Sequence, residues 1–346
     1  MYYLLEKKIE NVLSFESLYG NFIQNNKLNN LYDSEISLNN FHYINLYNFN
    51  RYIIATDDLN KGVIIEGKNI IFDFNEKFRL SSFNYPYLNY YKKTNPRVYG
   101  IFDFEKSKQL IEIEQFLGRD IFNKFIISNS TVNSMIFQNR EITNKKILWN
   151  LDSSILGNYF KLGDGEVPVE IFKFLGILEN HLIAVCTDSS LLKIDIETGK
   201  IIKRFHIELF KNSSNEHVAQ YNYIKLINNR LIYFKNGCFV EYDLIEEKII
   251  IEFDISENLK NENLIDNAPD FVLENNLLYY FISGFGSFSR PSLVILDINL
   301  QKITWSFIYE NDNVTFREFK KNDRNLFALD SENVLHIFEK TSEEST

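Results

Sequence analysis

The dipeptide Gly199-Lys200 is the first feature of the sequence that suggests chemistry, because a Gly-Lys pair lies in the phosphate-binding loop of many nucleotide-binding proteins. That loop has a second glycine five positions earlier, and a serine or threonine after the lysine binds the metal ion. Here Ile194 and Ile201 occupy those two positions. From 192 to 197, apolar and charged residues alternate, which is typical of a half-buried strand. The stretch LLKIDIETGKIIKRF therefore predicts a β-hairpin with Gly199 in its turn.

Metal, thiol and hydrolase chemistry has no motif in this sequence. The histidines show neither the H-x-H nor the H-E-x-x-H spacing that places two ligands on one metal ion. The two cysteines, Cys186 and Cys238, are expected to be buried free thiols, and no G-x-S-x-G elbow is present. We predict no catalytic residue, metal or cofactor, although histidines or carboxylates from distant parts of the chain could converge without a local motif. The histidines are His42, His181, His206, His217 and His336.

Three segments have the composition of surface loops that bind a protein. Two are acidic, 161–170 and 255–270, and neither has the alternating oxygen ligands of a calcium loop. The third, SGFGSFSRP at 283–291, contains G-x-G but lacks the third glycine of a dinucleotide-binding loop. Acidic surfaces attract basic partners, and aromatic and arginine side chains anchor interfaces. The predicted partner-binding residues are Asp164, Glu166, Asp266, Asp270, Phe285, Phe288 and Arg290.

Composition limits the class of partner. The formal net charge is −10 and the pI is about 5.2, which argues against nucleic acid, since phosphate binding depends on clustered Lys and Arg. The N-terminus has no signal-peptide core, and no stretch approaches 18 consecutive apolar residues. We therefore expect a cytoplasmic protein with no membrane contact, monomeric when unbound, whose partner is a protein and would be basic.

An acidic residue followed five positions later by lysine recurs along the chain and brackets a predicted turn each time. The copies are Asp103 with Lys108, Glu141 with Lys146, Asp195 with Lys200, Asp243 with Lys248, and Asp297 with Lys302. Two degenerate copies lie around Asp73 and Ile337. The mean spacing of about 44 residues is the length of one four-stranded propeller blade. Seven copies predict an all-β fold, a single β-propeller domain over 1–346 with seven four-stranded blades.

Both tryptophans share one position in this repeat, because Trp149 and Trp305 each follow the lysine of their copy by three residues. With LLKIDIETGKIIK, NREITNKKILW and LVILDINLQKITW, the sequence resembles the quinoprotein-like (PQQ-type) propeller repeat, LxAxDxxTGKxxW. The resemblance implies that Trp149 and Trp305 dock against the neighbouring blade. Ile111, Lys203 and Ile251 stand at the matching positions of other copies. The quinone and calcium of quinoprotein dehydrogenases are not expected, since adjacent cysteines and a secretion signal are missing.

Closure of the ring predicts a role for the N-terminus. The copy at 334–340 lacks a last strand, which MYYLLEKKIE would supply by pairing across the ends and so remove an unpaired strand edge. Leu5, Ile9 and Leu13 also fit one face of a helix, so a helical N-terminus is the alternative. The region 11–60 is expected to contain the rest of the first blade.

Two classes of function fit these features. The first is a non-enzymatic scaffold that binds a protein, of which a bacterial immunity protein that neutralises a toxin would be one instance. The second is a propeller-type hydrolase or lyase whose acids or histidines meet at the central channel. Nucleic-acid recognition is a weaker third hypothesis because of the acidic charge.

Overall fold

The computed structural model describes residues 2–32, 42–67, 69–74, 78–114, 120–129, 135–143, 146–161, 163–207, 223–235, 237–262, 264, 270–282, 290–311 and 314–341. These residues form almost exclusively β-strands, with one 3₁₀ turn at Ser153–Leu156 and one short helix, α1, at Ser256–Asn261. The strands are β1 Tyr2–Ile9, β2 Val12–Phe15, β3 Asn21–Gln24, β4 Lys27–Asn30, β5 Tyr43–Phe49, β6 Tyr52–Asp57, β7 Gly62–Glu66, β8 Asn69–Asp73, β9 Arg79–Asn84, β10 Tyr87–Lys92, β11 Val98–Asp103, β12 Lys108–Ile113, β13 Asp120–Phe122, β14 Phe125–Asn129, β15 Ile136–Glu141, β16 Ile147–Asp152, β17 Asn158–Lys161, β18 Gly165–Pro168, β19 Ile171–Leu178, β20 His181–Cys186, β21 Leu191–Asp195, β22 Ile201–Phe205, β23 Ile224–Ile227, β24 Arg230–Lys235, β25 Cys238–Asp243, β26 Lys248–Asp254, β27 Phe271–Glu274, β28 Leu277–Ile282, β29 Ser292–Asp297, β30 Lys302–Ile308, β31 Phe316–Lys321, β32 Asn325–Asp330 and β33 Leu335–Thr341.

The strands form eight blades, numbered here in chain order, and a separate two-stranded hairpin, β17–β18. Blade 1 is the three-stranded sheet β2–β4. Blades 2 to 7 are the four-stranded sheets β5–β8, β9–β12, β13–β16, β19–β22, β23–β26 and β27–β30. Blade 8 combines β31–β33 with β1. The all-β prediction is confirmed, whereas the prediction of seven blades is wrong.

The repeat motif marks one particular hairpin, that between the third and fourth strands of a blade. Its acidic residue is the last residue of the third strand in all five clear copies, at the ends of β11, β15, β21, β25 and β29. The reason is local, since the Asp195 carboxylate accepts hydrogen bonds from the backbone N–H groups of Glu197 and Thr198 in the turn. Gly199 takes a φ of 73° in that turn, which confirms the predicted hairpin.

Blade 1 accounts for the wrong blade count. Its strands have four residues each and carry no copy of the acidic residue and lysine. The degenerate copy around Asp73 is also misplaced, because Asp73 ends the fourth strand of blade 2 and not the third. The described part of the region 11–60 therefore contains an additional three-stranded blade as well as the start of blade 2.

The N-terminal segment is a strand and not a helix. It pairs antiparallel with β33, in register from Tyr2 opposite Thr341 to Ile9 opposite Leu335, with a bulge between Leu5 and Lys7. Tyr3 is buried on blade 8, and its carbonyl oxygen accepts a hydrogen bond from the Trp305 indole at 3.1 Å. The prediction that the two chain ends meet in one blade is confirmed.

Contacts divide the chain into two compact units, each with its own apolar clusters. Unit 1 comprises residues 1–74, 233–241 and 249–346, and unit 2 comprises 75–232 and 242–248. In unit 2, blades 4 and 5 pack together through a cluster that includes Trp149, Phe174 and Leu192. In unit 1, a cluster with Tyr3, Leu293 and Phe338 joins blades 7 and 8. None of the described helices is long and apolar enough to cross a membrane.

Candidate protein-docking site

The hairpin β17–β18 in unit 2 is an insertion between the last strand of blade 4 and the first strand of blade 5. Its strands pair in register from Asn158 opposite Pro168 to Lys161 opposite Gly165. Directly opposed residues of an antiparallel pair lie on the same face. One face therefore carries Asn158, Phe160, Glu166 and Pro168, which are all exposed, and is called the docking face below.

The opposite face of the hairpin packs on unit 2. Tyr159 and Val167 are half-buried, and Tyr159 packs against the apolar cluster that contains Trp149. Phe160, by contrast, is 76% exposed, and Ile155 in the preceding 3₁₀ turn is 67% exposed. Single large apolar side chains on a surface are ordinary, so the exposure of Phe160 is informative through its place on the hairpin and not through its apolar character alone.

The base of the hairpin is anchored at both ends. The Asp152 carboxylate caps the 3₁₀ turn by accepting from the Ser154 N–H at 2.9 Å, and Leu156 at the end of that turn is buried. The Val169 N–H donates to the Gly157 carbonyl at 2.8 Å. These contacts fix the backbone where it enters and leaves the hairpin. Phe160 is therefore exposed on a segment that is anchored at both ends.

An ion pair in blade 5 adds a further anchor. Arg204 donates to the Leu156 carbonyl at 2.6 Å, to Ser190 Oγ at 3.0 Å and to Asp188 Oδ2 at 2.6 Å. Ser190 is fully buried, and its hydroxyl donates to Asp188 Oδ1 at 2.6 Å. Burial alone would raise the pKa of Asp188, but the hydrogen bonds from Ser190 and Arg204 outweigh it and hold this pKa below its usual value.

This ion pair predicts a pH-dependent difference between the wild type and Asp188→Asn. Because the folded pKa of Asp188 lies below its unfolded value of about 3.9, its stabilisation is complete well above pH 4 and is lost as the pH falls toward the folded pKa. We expect the variant to lose about 2 kcal/mol of unfolding free energy at pH 6 and a smaller amount at pH 3, where part of the stabilisation by the carboxylate is already lost.

Urea denaturation at both pH values measures this difference. Asp164→Asn is the control, because Asp164 pairs with Lys161 at 2.5 Å on the surface, where ion pairs contribute little. A gap for Asp188→Asn that stays the same at pH 6 and pH 3 would contradict the assigned role.

A cavity of about 290 Å³ lies between blades 4 and 5, and no residue of the hairpin lines it. Ser153 and Glu170, which flank the insertion in sequence, line it together with Met135, Phe172 and other residues of blades 4 and 5. The cavity is large enough for one side chain of a partner, and its mixed apolar and polar lining suits an amphipathic group.

The surroundings of the docking face are acidic. Asp152, Asp164, Glu166 and Glu170 are exposed on the hairpin or next to it. Lys161 is the one cationic side chain of the hairpin strands, and it is already paired with Asp164. The local charge is therefore negative and favours a basic partner.

The predicted partner-binding residues fall into three groups. Asp164 and Glu166 lie on the hairpin in unit 2. Asp270 and Arg290 lie in unit 1 and are exposed; Asp270 directly precedes β27, and Arg290 lies two residues before the start of β29. Asp266, Phe285 and Phe288 lie outside the described residues.

Phe160 was missed by the sequence analysis, which treated 161–170 as an acidic loop. The GDG sequence at 163–165, between NYFK and EVPV, is a turn pattern flanked by alternating residues and could have indicated a hairpin. Which of its two faces is exposed depends on packing, which the pattern does not contain.

The two tryptophans lie in the fourth strands of their blades and reach the following blade. Trp149 is buried, and its indole N–H donates to the Ile196 carbonyl of blade 5 at 2.8 Å. Trp305 is half-buried, donates to the Tyr3 carbonyl and makes an edge contact with the Phe338 ring at 6.0 Å.

Titratable groups also meet inside blade 8. His336 Nε2 lies 2.7 Å from Asp330 Oδ2, and both side chains are fully buried, so the pair does not face solvent. In the part of the chain that the structure describes, no group of three or more His, Cys, Asp or Glu side chains could hold a metal ion.

Solved structures of other proteins are similar to this chain in fold. The C-terminal WD40 domain of Sif2 matches with a TM-score of 0.57 at 10% identity, over 99% of this chain and 99% of that domain. The chain has the β-propeller fold. The computationally designed protein Ika8 matches with a TM-score of 0.57 at 7% identity, over 96% of each chain. BamB from Moraxella catarrhalis has a TM-score of 0.48 at 9% identity, over 98% of this chain and 100% of that one.

No family model matches this propeller. A search of curated proteins finds no match either. Identities of 7% and 10% relate the propeller to its structural neighbours through the fold alone. The sites on this chain are therefore interpreted from their own geometry.

Proposed function

We propose that this propeller is a non-enzymatic module that binds a protein partner through the hairpin β17–β18. The observation that carries the proposal is the exposure of Phe160 on an anchored insertion, with Glu166 opposite it in the register. A phenylalanine that moves from water into an interface contributes about 1.5 to 3 kcal/mol, enough to make it a binding hot spot. The proposal includes that the protein is cytoplasmic and that residues 1–346 act as one domain.

The scaffold favours binding because the hairpin is held before a partner arrives. Tyr159, Leu156 and the Arg204 contacts fix the side of the insertion that faces the blades. A partner that docks on the other side does not have to order the backbone, so less conformational entropy is lost on association. The acidic groups around Phe160 steer a basic partner toward it.

The decisive experiment is affinity purification of the tagged full chain from its native cells, with wild type, Phe160→Ser and Leu300→Ser in parallel. Leu300 is 59% exposed in a turn of blade 7 and gives a matched loss of exposed apolar surface. We expect wild type and Leu300→Ser to recover a stoichiometric protein, and Phe160→Ser to lose at least about tenfold in affinity. All three should show the same melting temperature.

Two results would contradict the proposal. One is the absence of any stoichiometric protein with the wild type. The other is equal recovery with Phe160→Ser and the wild type, which would place the interface elsewhere on the chain.

Charge neutralisation tests the electrostatic part of the proposal. With the recovered partner, Asp164→Asn and Glu166→Gln together should mainly slow association and weaken its dependence on salt. Asp270→Asn in unit 1 is the parallel variant, and a similar effect would show that Asp270 also attracts the partner. Truncation of Phe285, Phe288 or Arg290 should speed dissociation if the aromatic loop at 283–291 also makes contact. Association rates at two salt concentrations decide between these cases.

An immunity protein that neutralises a bacterial toxin is one instance of such a module. Its distinguishing property is that the recovered partner arrests growth when expressed alone. Co-expression of the wild-type propeller would then restore growth, and co-expression of Phe160→Ser would not. A partner that is harmless alone would assign the propeller to a different assembly.

A further inference from the structure

The outer edge of β17 presents backbone groups with no hydrogen-bond partner among the described residues. The Val169 N–H donates to the Gly157 carbonyl, and hydrogen-bonded and non-hydrogen-bonded pairs alternate along an antiparallel ladder. The hydrogen-bonded pairs are therefore Tyr159 with Val167 and Lys161 with Gly165. It follows that the N–H and C=O groups of Asn158 and Phe160 point away from β18.

The two edges of the hairpin are not equivalent. On β18 the outward positions are Glu166 and Pro168, and proline has no N–H to donate. On β17, both outward positions keep their N–H groups. An incoming strand thus finds a complete set of donors and acceptors only along β17, the strand that carries Phe160.

We infer that the partner binds by adding an extended basic segment to the β17 edge as a third strand. The inference rests on the proposed function and specifies how the docking face is used. Main-chain hydrogen bonds to Asn158 and Phe160 would supply affinity, as in other cases of strand addition. Side chains on alternate positions of the added strand would lie beside the Phe160 ring, where an arginine can stack and also approach Glu166.

The negative charge around the β17 edge favours a basic strand over a second copy of this chain. The hairpin and its flanks carry Asp152, Asp164, Glu166 and Glu170, against the single paired Lys161. A second copy of this chain would bring a second set of carboxylates to the same edge, which repels it. A strand rich in arginine or lysine meets this surface with complementary charge.

Asn158→Pro and Asn158→Ala test the inference on the full chain. Both variants remove the Asn158 side chain, but only proline removes the outward N–H, which no described residue uses. Proline is tolerated on strand edges, and thermal unfolding verifies that the variant is folded. The probe is a capped eight-residue peptide of alternating arginine and valine, with binding measured by fluorescence anisotropy.

We expect Asn158→Pro to bind the peptide about tenfold more weakly than Asn158→Ala, as expected for a lost hydrogen bond and a blocked edge. A copy of the peptide with an N-methyl group on every amide keeps the charge and side chains but has no N–H donor on either edge, and it should lose a similar factor against the wild type. This second arm remains decisive if Asn158→Pro is poorly folded.

Three outcomes would overturn strand addition. One is equal binding of the peptide and its N-methylated copy to the wild type. Another is equal peptide binding by two folded variants, Asn158→Pro and Asn158→Ala. The third is a dimer of the wild type that Asn158→Pro dissociates, which would make a second copy the occupant. If the natural partner is still lost with Phe160→Ser in these cases, the proposed function stands and only the mode of binding is wrong.

Discussion

Deletion of residues 1–10 is expected to make the protein aggregate. The segment contains β1, which completes blade 8 and buries Tyr3 to 4% exposure. Without it, the seven residues of β33 become an unpaired edge, and the buried ring of Phe338 loses part of its cover. Exposed edges pair with other chains. Size-exclusion chromatography with light scattering should show the truncated protein in high-molecular-weight species.

Two substitutions in β1 separate the edge from the side chains. Tyr3→Ala removes a buried ring, whereas Leu4→Ala removes a side chain that is 45% exposed. We expect the first to lower the free energy of unfolding by about 3 to 5 kcal/mol and the second to change it by less than about 1 kcal/mol, both without aggregation. A truncated protein that stayed soluble, with the stability and elution of the wild type, would show that β1 does not close the blade.

Trp149→Ala is expected to cost about 3 to 5 kcal/mol of unfolding free energy, as a large deletion from a core. The ring lies between blades 4 and 5, and its indole N–H donates to the Ile196 carbonyl, which also accepts from Asn139 Nδ2. A Cβ placed on Gly199 would come within 2.6 Å of the ring, so the turn of blade 5 is built directly against it. Urea denaturation followed by far-ultraviolet circular dichroism measures the loss.

Two further variants define the role of the tryptophans. Trp149→Phe keeps most of the apolar contact but loses the indole hydrogen bond. It should lower the free energy of unfolding by about 0.5 to 1.5 kcal/mol, because Asn139 still donates to the Ile196 carbonyl. Trp305→Ala should fall at the lower end of the range for Trp149→Ala, because Trp305 is only half-buried. Unchanged stability together with lost partner binding would instead assign either tryptophan to an interface.

The repeat was visible in the sequence because its chemistry is local. A carboxylate at the end of a third strand accepts the N–H groups of its own turn, as Asp243 does from Ile245 and Glu246. Such a contact needs residues only two or three positions apart, so it leaves a fixed spacing in the chain. The positions of five third-to-fourth-strand hairpins followed from this spacing.

The blade count did not follow, for the same reason. Blade 1 has no such carboxylate at the end of a third strand and no fourth strand among the described residues, so the spacing of the repeat does not mark it. Its buried Glu16 does accept the N–H groups of Leu18, Tyr19 and Asn21, but in the turn after the first strand of the blade. Its apolar residues, such as Val12 and Phe15, are instead held by contacts with Phe327 and Ile337, more than 300 positions away in the sequence. Packing between distant segments makes this sheet a blade.

The sequence by itself indicated the all-β fold, the recurring hairpins and the acidic character of 161–170, because each depends on residue types, alternation or turn chemistry within a short window. The pairing of the chain ends was predicted from the closure of the ring, with a helical N-terminus as the alternative, and the structure decided for the strand. Only the tertiary structure decided that Tyr159 turns inward onto the Trp149 cluster while Phe160 faces solvent. Alternation places neighbouring side chains on opposite faces, but the body against which the hairpin packs selects the face that remains available to a partner.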